Sequence, residues 1–370
     1  MAILKRGDTD RFLILSALAL LVMGMVMVCS TSYIVAMNRF GDEFFFMKKH
    51  ITYALIGLTA FLAASRIPYT MYRRLVYPIL ILSAILLVLI YVPGIGLKAG
   101  GARRWIHLGP IAFQPSEPAK LAVVVFLAYS LSAKAERIKD FYFGFLPNII
   151  IPGVIILLIL REPDLGTSLT LGGLVFIMCF AGGVRLRYLA GLFVPLVPLV
   201  YIVITRYAYM LKRILIFMDP WKDAQGAGFQ MVQSFIAFGS GGVTGVGLGE
   251  GMQKLFYLPE AHTDFILSVI GEELGLVGVG LVIAFYIIFL ISGIKITLKA
   301  KDLFGAYLAL GLTVMVVMQA AVNMAVVMGL LPPKGLTLPF VSYGGTSLII
   351  NMAAVGILLN IYILQSEAEK

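Results

Sequence analysis

Charge is scarce in this 370-residue chain: Asp, Glu, Lys and Arg make up 13% of it, against about 25% in an ordinary soluble domain. With 60% hydrophobic residues, one water-facing globule could not hide its apolar surface, and lipid is the fitting solvent. Cysteine is nearly absent. Cys29 and Cys179 lie inside apolar runs and read as small buried hydrophobes rather than a disulfide or a ligand pair. The three histidines, His50, His107 and His262, are far apart, with no HExxH or CxxC spacing, which argues against a structural zinc site. There is also no basic, polar domain of the kind that carries nucleic acid. The formal net charge of +10 suits membrane lipid headgroups or a phosphorylated substrate instead.

What is present is a series of apolar runs long enough to cross a bilayer. They fall at about 12–36, 47–65, 72–92, 116–133, 143–161, 165–183, 188–206, 265–292, 304–330 and 344–364. The pattern predicts an all-α integral membrane protein, one polytopic domain over 1–370. It has about ten transmembrane helices, with a long extracytoplasmic loop, about 207–264, between helices 7 and 8. The first run is too long for a signal-peptide core and reads as a retained helix. Asp8-Thr9-Asp10 spells DxD, a metal-holding pattern elsewhere, but in this short tail it reads as a solvated lead-in. Lys and Arg are in excess on one side of the membrane, which places both termini in the cytoplasm.

That orientation gathers the unusual segments on the outer face: GLKAGGARRWIHLGPIAFQPSEPAKL (96–121), the long loop, and LLPPKGLTLPFVSYGG (330–345). Polar loops rich in Gly and Pro on one face are where function concentrates. Within the long loop, FQMVQSFIAFGSGG (229–242) has interfacial or re-entrant length. The glycines of GSGGVTGVGLGEG (239–251) match no nucleotide-binding motif and read as tight turns packed among helices.

Ionisable residues at membrane depth are functional candidates by default. Glu117 and Lys120 are three apart and can meet on one helix face, with Ser116 a possible cap. Arg103 and Arg104 flank Trp105 and His107, a group suited to interfacial anchoring or to a lipid-linked phosphate. In REPDLGT (161–167), Asp164 can cap the next helix, and Arg161 can bind a phosphate or pair with Glu162. In YLPEAHTDFI (257–266), Thr263 can be an N-cap with Asp264 in the first turn. If that helix start faces a cavity, Asp264 can take a proton from a substrate hydroxyl, and Glu260, His262, Glu272 and Glu273 are near in sequence.

These motifs, in this order, resemble the SEDS family of FtsW, RodA and SpoVE. LPFVSYGGTSL (338–348), GARRWIHLGPIAFQPSEPAKL, REPDLGT and YLPEAHTDFILSVIGEELGLVG carry the likeness, which covers essentially the whole chain. DPWKDAQGAGFQMVQS and GLGEGMQKLFYLPEAHTDFI resemble the cell-division members more than the elongation members. Thr346 departs from the family's usual serine but keeps a hydroxyl.

The resemblance implies a bacterial peptidoglycan glycosyltransferase in the cytoplasmic (inner) membrane. It would polymerise lipid II with undecaprenyl pyrophosphate as leaving group, beside a class B penicillin-binding protein and other divisome proteins. It maps the family's essential aspartate onto Asp264, its glutamate and lysine onto Glu117 and Lys120, and its PDLG aspartate onto Asp164. Gln114, His262, Thr263, Ser342 and Tyr343 lie in the same motifs. With Arg103, Arg104 and Arg161 they complete the candidate substrate-binding set. A divalent cation, Mg or Mn, could bridge a carboxylate and the pyrophosphate, although no ligand cluster is visible. The rival readings are a lipid II flippase, an elongation polymerase and a non-catalytic scaffold.

Overall fold

The structure, a computed structural model of the chain, describes residues 8–99, 102–108, 111–192, 194, 198, 205–206, 215–226, 228–254, 258 and 261–366. It is a helical bundle. In chain order come α1 (Asp8–Phe40), α2 (Phe45–Arg66), α3 (Thr70–Arg74) and α4 (Val76–Leu89). A small sheet of β1 (Gly96–Ala99), β2 (Ala102–Leu108) and β3 (Ile111–Phe113) follows, then α5 (Ser116–Ala133), α6 (Leu146–Arg161) and α7 (Leu165–Ala181). Next are α8 (Leu186–Gly191), α9 (Phe229–Gly241), α10 (Ile266–Glu273), α11 (Gly275–Lys299), α12 (Leu303–Val327) and α13 (Gly345–Ser366). Among the described residues, 5 helices are long and apolar enough to cross a membrane by length and composition. About half of the expected seventh span, 188–206, lies outside the described residues.

Large apolar side chains stand on the outside of the bundle, including Leu15, Val22, Leu157 and Leu298. In water such faces would be a liability. In hydrocarbon they are the expected surface of a helix that is apolar all round. α13 is the central helix: Ala354, Val355, Ile357, Leu358 and Leu359 are buried, and it packs against α1, α2, α5, α11 and α12.

The eighth expected span is broken in two. α10 ends at Glu273 and α11 starts at Gly275, whose φ is +64°. A break inside a bilayer must satisfy the backbone groups it frees, and the long loop does so. Val246 and Gly247 donate their N–H groups to the Glu272 and Glu273 carbonyls, at 3.0 and 3.1 Å. Leu276 and Val277 donate to the Gly242 and Val243 carbonyls, at 3.0 and 3.1 Å. Gly245 makes this approach possible. Its φ is +83°, and a Cβ there would stand 2.1 Å from the Glu273 carbonyl oxygen. The glycine run therefore builds packed backbone turns, as its sequence suggests. α9 docks on α10 where Ser234 Oγ lies 2.8 Å from Ser268 Oγ, and Ser234 Oγ also bonds the Val327 carbonyl.

Segment 96–113 reads as loop in the sequence but forms an antiparallel sheet of order β1-β2-β3. Trp105 pairs with Leu97, Arg103 with Lys98, and Ile106 with Phe113. The strands are too short to show as spanning runs, yet β2 carries Trp105 and Ile106, residue types that favour strands.

The bundle has two distinct ends. At one, the Tyr69 hydroxyl donates to Asp302 at 2.7 Å, and Asn360 bonds both the Tyr69 N–H and the Ser65 carbonyl. At the other lie the sheet, the α6–α7 turn, and the starts of α2, α5, α10 and α13.

Candidate functional site

The segment between α12 and α13 organises this second end. Four consecutive residues, 335–338, each touch a different part of this end of the bundle. A Cβ built on Gly335 would lie 2.9 Å from Asp264 Oδ2. The Leu336 side chain lies over Gly166 at the start of α7. Thr337 takes the Gln319 amide on its carbonyl at 2.9 Å. Leu338 donates its N–H to Ser342 Oγ at 2.8 Å, and Ser342 Oγ donates to the Thr263 carbonyl at 2.6 Å.

Glu117 and Lys120 meet as their spacing predicts. Lys120 Nζ is 2.9 Å from both carboxylate oxygens of Glu117, and both side chains are buried. Nζ also donates to Gln319 Oε1 at 2.5 Å. A buried ion pair is stable only when its remaining hydrogen-bonding capacity is met, and Gln319 on α12 meets part of it. Gln319 thereby links Lys120 to Thr337. Ser116 does not cap α5: the residue before the helix is Pro115, and Ser116 Oγ is buried with no hydrogen-bond partner.

Asp264 stands just ahead of α10, which begins at Ile266 with Phe265 at the capping position. The expectation that Thr263 caps this helix with Asp264 in its first turn is thus corrected. The chain is held in a tight turn because Thr263 and His262 give their carbonyls to Ser342 Oγ and the Tyr343 N–H. Asp264 is half-buried. Its own carbonyl accepts from Asn323 Nδ2 at 2.8 Å, and the same Nδ2 donates to the Leu336 carbonyl at 2.5 Å. The His262 ring lies 4.7 Å from Phe46 and 5.7 Å from Tyr343.

In the α6–α7 turn, Asp164 caps α7 as expected, accepting from Thr167 N at 3.1 Å and Thr167 Oγ1 at 2.9 Å. Arg104 reaches over from β2. Its Nε bonds the Glu162 carbonyl at 3.1 Å, and Nη2 bonds the Pro163 carbonyl at 2.5 Å. Arg161 does not pair with Glu162; its guanidinium lies 5.0 Å from the Tyr91 ring centroid. The Glu162 carboxyl is buried, and neither oxygen has a hydrogen-bond partner. Burial, and next the Asp164 charge, push its pKa up to about 8, against a smaller opposing pull from Arg104.

The Gln114 N–H donates to Thr346 Oγ1 at 3.0 Å, which ties the approach to α5 to the start of α13. Arg103, on β2, is half-buried. Glu272 and Glu273 do not join Asp264. They face the loop: Lys254 Nζ is 2.7 Å from Glu273 Oε1, Ser30 Oγ is 2.8 Å from both Glu273 oxygens, and Glu272 accepts the Met252 and Gln253 N–H groups. Glu260 lies outside the described residues. Gln319, Asn323, Gly335 and Thr337 were not singled out in the sequence. The one available signal was two amides four apart in an otherwise apolar helix. Among the described residues no group of three or more His, Cys, Asp or Glu is placed to hold a metal ion.

A family model described as "Cell cycle protein", covering FtsW, RodA and SpoVE, matches residues 10–367. A curated relative named probable peptidoglycan glycosyltransferase FtsW, from Geobacter metallireducens, is 47% identical over 352 residues, covering 95% of this chain and 94% of its own. Stage V sporulation protein E of Bacillus subtilis is 40% identical over 358 residues, covering 96% of this chain and 98% of its own. Among solved structures, one chain comes from work on how a peptidoglycan synthase complex coordinates polymerization and crosslinking. It is similar with a TM-score of 0.79 at 29% identity, covering 95% of this chain and 97% of that one. The rod shape determining protein RodA of Thermus thermophilus is similar with a TM-score of 0.69 at 26% identity, covering 95% of each chain.

Proposed function

Since the chain belongs to the FtsW, RodA and SpoVE family, we propose that it is a peptidoglycan glycosyltransferase that polymerises lipid II during cell division. Asp264 is the general base. It takes the proton from the acceptor sugar's 4-hydroxyl as that oxygen attacks the donor's anomeric carbon. The bond from that carbon to the pyrophosphate breaks, undecaprenyl pyrophosphate leaves, and the new β-1,4 bond has inverted configuration. The observation that carries this reading is the shared anchoring of Asp264 and Lys120 on residues 335–337. It places a half-buried carboxylate and a buried cation at the same end of the bundle.

Arg104 and Lys120 are the cations we assign to the leaving pyrophosphate, with Arg103 and Arg161 at the rim. Preorganised positive charge acts where negative charge develops. Glu117 holds Lys120, and Asp164 fixes the turn that Arg104 grips. Gln114, His262, Thr263, Ser342 and Tyr343 shape the wall. An apolar groove of about 600 Å³, lined among others by Met25, Val26, Phe44 and Met47, suits the isoprenoid tail. A divalent cation used here would draw its ligands from the pyrophosphate and one carboxylate, as magnesium does where it keeps its waters.

We place the chain in the cytoplasmic membrane of a bacterium with both termini cytoplasmic, so that the site opens outward, where lipid II is delivered. A class B penicillin-binding protein is the proposed partner. The similarity to relatives named FtsW favours division over elongation. The test is incubation of the purified chain in detergent with lipid II, with and without that transpeptidase. Glycan strands are expected. A chain that moves lipid II between the leaflets of proteoliposomes yet forms no polymer in detergent is a flippase and contradicts the proposal.

A further inference from the structure

Asn323 lies on α12, one turn beyond Gln319, and the two amides share a helix face. Asn323 is buried at 1% exposure. Its Nδ2 bridges two carbonyls that belong to different segments, Asp264 O at 2.8 Å and Leu336 O at 2.5 Å. The residue between Leu336 and Lys334 is Gly335, the one whose missing side chain gives Asp264 Oδ2 its room. Asn323 therefore fixes both sides of the aspartate: the backbone that carries it and the segment its carboxylate lies against.

We infer that Asn323 is a positioning residue for the transfer reaction, acting through Asp264 without touching substrate. The inference rests on the reading of Asp264 as the base. Only a neutral amide suits the place. A primary amide carries two N–H donors, and two carbonyls stand within their reach. An aspartate here would set a carboxylate against two carbonyl oxygens. An alanine would take this donor away from both carbonyls, which costs stability. The Asn323 Oδ1 is buried and has no hydrogen-bond partner, so the side chain is placed for its donors, and turning the amide over would oppose oxygen to oxygen. Gln319 does the corresponding work for Lys120, with its amide oxygen on the ammonium and its nitrogen on Thr337.

A misplacement of about 1 Å can cost roughly 10²-fold in rate. The test measures lipid II turnover by the purified full chain with its transpeptidase, for wild type, Asn323→Ala, Asn323→Asp, Asn323→Ser and Asp264→Asn. Each protein's unfolding midpoint in detergent is recorded alongside, and rates are referred to folded protein. Asn323→Ala and Asn323→Asp are expected to lower kcat about 10²-fold with KM within a few-fold of wild type, and to move the acid limb of the pH–kcat profile. Asn323→Ser, which restores one donor, is expected to recover part of the loss. If Asp264→Asn is inactive while folded Asn323→Ala or Asn323→Asp turns over like wild type with the same pH profile, the base reading stands and this inference falls. If the Asn323 variants lose midpoint and folded yield only, with kcat per folded molecule intact, the residue is merely structural and the inference is likewise overturned. Full activity of Asp264→Asn removes the reading on which it rests.

Discussion

Asp264 Oδ2 occupies the space that any side chain on Gly335 would need, 2.9 Å from the position of a Cβ there. The contact is tighter than ordinary van der Waals packing, so the carboxylate must shift if that space is filled.

Gly335→Ala is therefore expected to displace the proposed base and lower turnover about 10²-fold, with lipid II binding nearly unchanged. Turnover and lipid II affinity measured side by side check this. A wild-type rate in Gly335→Ala would show that the carboxylate's place against residue 335 does not matter.

The Glu117–Lys120 pair gives a second expectation. Removing one member strands the other's charge in the bundle, at a cost of about 3–5 kcal/mol. Glu117→Gln and Lys120→Met should each lower the unfolding midpoint in detergent, and the double variant should be more stable than the sum of the two losses implies. A double-mutant cycle measures the difference. All three variants are expected to lose polymerisation, because the cation proposed to meet the leaving group is displaced or absent.

Glu162 makes stability depend on pH. Its folded pKa is about 8, against 4.5 for an unperturbed carboxyl. Between those values the folded chain holds a proton that the unfolded chain has released. Stability must therefore fall as pH rises from about 4.5 to about 8. Glu162→Gln removes this pH dependence. Relative to wild type, the variant should be more stable at high pH by several kcal/mol, with the difference shrinking as the pH is lowered toward 5. Unfolding midpoints of the two proteins across that range supply the check; parallel curves would contradict it.

Much of this was legible in the sequence because charge in an apolar run is conspicuous. Asp264, Glu117, Lys120 and Asp164 all stood out for that reason, and the three-residue spacing of Glu117 and Lys120 specified their contact. Most of the described long helices were legible from apolar length alone, but the breaks at Leu75 and near Gly275 were not. Gln319 and Asn323 stayed hidden because a neutral amide in an apolar run is less conspicuous than a charge, although its burial also requires hydrogen-bond partners. Their meaning comes from residues 335–337, a segment with no periodicity to read. Glu272 and Glu273 misled in the opposite sense. Two helical turns beyond Asp264, they serve the loop through Lys254 and two backbone N–H groups, a partnership set by the break at Gly275. The sheet of residues 96–113 escaped because its strands are far shorter than a span.

The most direct measurement is lipid II turnover by Asp264→Asn beside wild type, with both proteins purified in complex with the transpeptidase and matched for unfolding midpoint. The account predicts an equally folded variant whose rate is lower by about 10²–10⁴-fold. A folded Asp264→Asn that makes glycan strands at the wild-type rate would contradict it.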